Sequence, residues 1–117
     1  MVLEEKEFNL NQAVSATTEK EGYAQGVKYY FKKIRKSPAV IHSEYYGLVK
    51  KFEAALEDLV RDESSTALVE LIEIFPQFYK DGELPEQFVL EDLTVAFNNI
   101  SEYLMHLREL YNLDYYL

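Results

Sequence analysis

Between Lys28 and Lys51 the chain carries seven basic residues and a single acidic one, Glu44. Five of the seven, Lys28, Lys32, Lys33, Arg35 and Lys36, crowd into about two and a half helical turns. At about 100° per residue, Lys28, Lys32, Arg35 and Lys36 share one arc of a helix and Lys33 lies farther round. Tyr29 falls inside the basic arc, away from Ala24, Val27 and Phe31, and is expected to be exposed among the lysines. Such a face can hold phosphates through its cations while an exposed ring stacks on a base. Cations near a helix C-terminus also complement the helix dipole and solubilise an exposed face. They can equally pair with acidic groups such as Asp92 or Glu109, within the chain or across a dimer. The candidate anion- or partner-binding residues are therefore Lys28, Tyr29, Lys32, Lys33, Arg35 and Lys36.

Histidine chemistry is confined to His42 and His106. His106 follows Glu102 by four residues and precedes Glu109 by three, so all three share one helix face and could form half of a metal site. Completing it would require a carboxylate from another helix, Glu70 or Glu73. Neither histidine belongs to the Glu-x-x-His pattern of carboxylate di-iron bundles, and the face points away from the Leu93/Leu104 stripe. Solvated charges are the preferred reading, with no metal or cofactor expected. His42 lies on the flank of an apolar stripe, packed or partly exposed near Tyr46. Glu53/Glu57 and Glu70/Glu73 sit at helical spacing on polar faces. There is no phosphate loop, no G-x-S-x-G and no H-E-x-x-H. The absence of cysteine excludes disulfides, thiolate metal sites and a cysteine nucleophile. The expectation is a protein that is not an enzyme.

These residues must be positioned by helices. Of the 117 residues 48% are hydrophobic and 28% charged, a globular composition, and four glycines with three prolines are too few for an all-β sandwich. Ala24, Val27, Phe31 and Ile34 recur at alternating three and four behind a capping box, Thr18 and Glu21, which predicts a helix over 18–36. Gly22 and Gly26 weaken it by about 1 kcal/mol each and mark a close approach of another helix. Ser37-Pro38 starts a second helix over 38–61, with Ile41, Tyr45, Leu48, Phe52, Ala55 and Leu59 as its stripe. Capping residues at 62–65 precede a third over 66–79, faced by Leu68, Leu71, Ile72, Phe75 and Phe78, which Pro76 ends or kinks. Asp81-Gly82 is a turn signal. A long last helix over 86–113 carries Val89, Leu93, Phe97, Ile100, Leu104, Leu107 and Tyr111.

The architecture expected is all-α: one domain, a bundle of four main helices over 18–117, preceded over 1–17 by an N-terminal arm that Val2, Leu3 and Phe8 could anchor, or by an earlier start of the first helix near Asn9, since Leu10, Ala13 and Thr17 continue its register backwards. The tail Leu113 to Leu117 is expected to pack on its own bundle or on another subunit. Glu4, Glu5 and Glu7 stand where a secretory signal would be basic, and no run approaches the roughly 18 apolar residues of a membrane span. A cytoplasmic protein without membrane association is expected.

The net charge of −9 argues against general nucleic-acid binding, yet it hides an asymmetry. Residues 1–61 hold ten basic against nine acidic side chains, whereas residues 62–117 hold two against twelve. Opposed halves and ten tyrosines, rings with a polar tip suited to contact surfaces, favour an acidic helical module that binds another protein, including a second copy of itself. A polyanion-binding accessory subunit and a metal-binding bundle are the alternatives. If the basic arc grips nucleic acid, binding weakens steeply with salt because each neutralised phosphate releases counterions. Tyr29→Ala then removes about 1 to 3 kcal/mol of stacking without changing the salt slope. Anisotropy titration of labelled oligonucleotides at about 50 mM salt checks this, and no binding there removes the nucleic-acid reading.

Overall fold

The computed structural model describes residues 18–112. The N-terminal arm expected over 1–17 and the tail Leu113–Leu117 lie outside the described residues. The fold is an all-α bundle with four long helices and two short ones: α1 Glu19–Lys36, α2 Pro38–Ile41, α3 Tyr46–Asp62, α4 Ser65–Ile74, α5 Glu86–Leu90 and α6 Thr94–Leu110. Among the described residues the sole departure from helix and loop is an isolated antiparallel bridge between Lys80 and Glu83. It closes over Asp81 and Gly82, both at positive φ (54° and 82°), the two-residue turn that Asp-Gly favours.

Local signals set the helix ends. The Glu21 amide donates to the Thr18 hydroxyl oxygen at 3.1 Å, and the Ala67 amide donates to Ser64 Oγ at 3.1 Å, so α1 and α4 each have one free donor of the first turn satisfied by the cap side chain. Pro76 cannot extend α4, which tightens into a 3₁₀ turn over Phe75–Phe78.

Two of the four expected helices are interrupted. Over 42–45 the Ser43 hydroxyl donates to the Val40 carbonyl at 2.7 Å and accepts the Tyr45 amide at 3.1 Å, replacing helical hydrogen bonds by local ones. The last helix is divided by a Schellman turn: Asp92 takes φ 60°, its amide donates to Val89 and that of Leu93 to Phe88. Each break resets the register of burial. Val40 is buried where Ile41 was expected, and Phe88 is buried where Val89 was expected, leaving Val89 50% exposed. The long terminal helix is accordingly reduced to α6, about 25 Å of rise. From Phe52 and from Leu93 onward the expected stripes are the ones that are buried, except that Tyr111 is half-buried.

Helix pairing divides the bundle into two layers. α1 packs chiefly along α6 and α3 chiefly along α4, while α1 and α3 meet over a shorter stretch. Gly22 and Gly26 are both buried in α1. The layers are joined by a continuous run of rings: Phe31 stacks on Phe52 at 4.5 Å, Phe52 meets Phe75 and Phe78 at 6.2 Å, and both of these meet Phe97. Phe88 stacks on Phe97 at 5.6 Å, tying in α5. Phe97 is wholly buried at the centre of this run. Phe97→Ala is expected to cost about 3 to 5 kcal/mol, measured by urea or thermal unfolding, with Val95→Ala on the same helix as the near-neutral comparison.

Candidate functional site

Because α1 and α3 lean toward different partners, a groove of about 520 Å³ runs between them. One wall is the basic arc of α1: Lys28, Lys32, Arg35 and Lys36. Glu53, Glu57 and Arg61 of α3 form the other wall, and the half-buried Val60, with the buried Phe31 and Leu56 beneath, supplies an apolar floor. Helical spacing explains the wall of lysines, since residues 28, 32 and 36 stand one above another at successive turns.

The cations of the groove are not equivalent. Arg35 is held by an ion pair to Glu53, and Arg61 is taken by its own helix through Asp58 at 2.8 Å and Asp62 at 3.0 Å. The hydrogen bond to Asp62, together with the charges of Asp62 and Asp58, raises the Arg61 pKa. Lys28, Lys32 and Lys36 are exposed and have no hydrogen-bond or ion-pair partner among the described residues. Three charged donors therefore line an apolar floor, with Glu57 as the carboxylate opposite that is likewise unpaired.

Of the six residues picked out in the sequence, four line this groove and two do not. Tyr29 is half-buried, not exposed among lysines: its ring packs edge-on against Tyr30 at 5.0 Å, and the Lys33 ammonium lies 5.1 Å above it. Lys33 also reaches the Tyr30 ring at 5.6 Å, so it serves a cation–π cluster on the far flank of α1. A helical wheel assigns angles but no neighbours, and Tyr30, not solvent, occupies the edge of Tyr29. The acidic partner of the arc is Glu53, where Asp92 or Glu109 had been considered. The α3 wall was missed altogether: Glu53 and Glu57 had only the appearance of a polar face, and no local pattern says which helix a polar face overlooks.

The histidine face has a different role. His106 Nε2 lies 3.9 Å from Glu102 and Nδ1 3.8 Å from Glu109, while its ring stacks on Tyr23 of α1 at 4.7 Å. Glu70 and Glu73 are exposed on α4. Among the described residues no grouping of three His, Asp or Glu side chains could hold a metal ion. His42 is exposed at the end of α2, the break in the helix having moved it off the stripe. No described helix is long and apolar enough to cross a membrane.

Beside His106, Tyr103 packs against Tyr23 at 5.5 Å and Tyr30 at 6.1 Å. Burial, reinforced by Tyr30, Glu102 and Tyr23, raises its pKa above the ordinary 10.0. The folded state thus keeps this proton longer than the unfolded chain does. Its contribution to stability is complete below pH 10.0 and is lost as pH rises above it toward the raised folded value. Tyr103→Phe should therefore show a shallower alkaline loss of stability than the native chain, read by urea unfolding across that range, with a residual slope from Tyr79 and Tyr111, which burial raises as well. Set against known proteins, the chain matches no family model, no curated protein and no solved structure.

Proposed function

We propose that this chain is a non-catalytic protein-binding module whose α1/α3 groove receives an acidic amphipathic helix. The observation that carries this reading is the combination of a groove floored by the half-buried Val60 over the buried Phe31 and Leu56 with the ammonium groups of Lys28, Lys32 and Lys36 along one wall, which have no partner among the described residues. Helix-in-groove recognition uses that pairing: apolar side chains at one-turn spacing enter the floor, and flanking charges orient the ligand. Three lysines one turn apart, spanning about 12 Å, match carboxylates that recur at the same spacing on a bound helix. Lysine stems cover apolar surface while their heads stay in water, so the wall serves both halves of an amphipathic ligand.

A nucleic-acid ligand fits this groove less well. The ring that would stack on a base, Tyr29, does not line the groove and is engaged by Tyr30 and Lys33.

The test is fluorescence anisotropy with a labelled designed peptide that alternates Leu and Glu at one-turn spacing, and a Leu/Lys peptide as its control. The acidic peptide should bind and the basic one should not. Lys28→Glu with Lys32→Glu should weaken binding about tenfold, the equivalent of about 1.4 kcal/mol. Oligonucleotides at about 50 mM salt should not bind. Equal binding of both peptides, or of neither, would overturn the docking reading.

A further inference from the structure

We infer that the chain supplies the groove's ligand itself: the outer face of α6 in one copy lies in the α1/α3 groove of the next, giving a head-to-tail association. This rests on the docking reading above and names its occupant. α6 buries Ala96, Phe97, Ile100, Tyr103, Leu104 and Leu107 against its own bundle. Opposite that arc, Val95, Asn98, Glu102, Met105 and Glu109 recur at alternating three and four residues, and all five are exposed. Val95 and Met105 are 55% and 64% exposed, so α6 has a second amphipathic stripe turned away from the core. Single exposed apolar residues are ordinary, but here two of them share one stripe with two carboxylates.

The complementarity is one of sign and of spacing. Glu102 and Glu109 are separated by about 10.5 Å of helical rise and Lys28 and Lys36 by about 12 Å, so one helix can set its carboxylates along the wall while Met105 meets the floor. Glu102 and Glu109 approach His106 at 3.9 and 3.8 Å, too far for ordinary hydrogen bonds, which leaves them available to the lysines. The groove and the stripe are different surfaces of one protomer. Such a contact is heterologous: it leaves a free groove at one end and a free stripe at the other, and each added copy repeats it.

Sedimentation velocity over a concentration series tests this with two folded surface variants. One carries Lys28→Glu and Lys32→Glu in the groove, the other Val95→Ser and Met105→Ser on the stripe, with circular dichroism as the check on folding. Wild type should grow beyond a dimer as concentration rises, and raised salt should lower its association constant at least tenfold. Each variant alone should stay monomeric, because each has lost one of the two surfaces. Mixed in equal amounts they should form a one-to-one dimer and nothing larger, since a single intact groove then meets a single intact stripe. If wild type stays monomeric while the Leu/Glu peptide still binds, the self-association inference fails and the docking reading stands. If neither peptide nor second copy binds, both fail. Variants that associate as well as wild type, or a mixture that stays monomeric, would overturn the head-to-tail arrangement.

Discussion

The bundle depends on the interlocked rings of Phe31, Phe52, Phe75, Phe78, Phe88 and Phe97. Each aromatic contact of this geometry adds about 0.5 to 1.5 kcal/mol beyond the area it buries. Their placement matters more than their sum. α1 and α6 form one layer and α3 and α4 another, and these rings run from the first layer into the second and back. With no cysteine in the chain to join the layers by a disulfide, ring packing holds the angle between them, and with it the width of the groove.

That angle is where fold becomes surface chemistry. If α1 packed along α3 as closely as it does along α6, Val60 would be sealed as Phe31 and Leu56 already are, and the lysines of α1 would face the carboxylates of α3 at short range. Instead Arg35 pairs with Glu53, with side chains 51% and 35% exposed. A pair so open to water contributes little to stability. Its effect is on position: it fixes one end of the groove while Lys28, Lys32 and Lys36 have no partner among the described residues.

The division of the basic residues follows from the breadth of their arc on α1. A helix face that wide meets more than one environment, so Lys33 turns to Tyr29 and Tyr30 while Lys28, Lys32 and Lys36 turn to α3. A similar division separates the two aromatic populations. Phenylalanines form the interior run, whereas Tyr23, Tyr29, Tyr46 and Tyr111 are half-buried around it, several of them under a lysine or beside a histidine. Tyrosine suits that position because its ring can pack while its hydroxyl stays near water.

The existence of the long helices, the cap at Thr18, the stop at Pro76, the Asp81-Gly82 turn and the buried stripes from Phe52 and Leu93 onward were all legible in the sequence. Each depends on residues within a turn or two of one another, where periodicity, capping and proline stereochemistry act directly. The breaks at 42–45 and 91–93 are local too, but they rest on choices that patterning does not display: a serine hydroxyl competing with the backbone, and an aspartate accepting the left-handed conformation in place of the usual glycine. The pairing of α1 with α6, the opening between α1 and α3, the engagement of Tyr29 and the outward stripe of α6 belonged to the tertiary structure alone. A polar face acquires a neighbour only when helices distant in sequence are packed, and the packing here was decided by rings contributed from five separate elements.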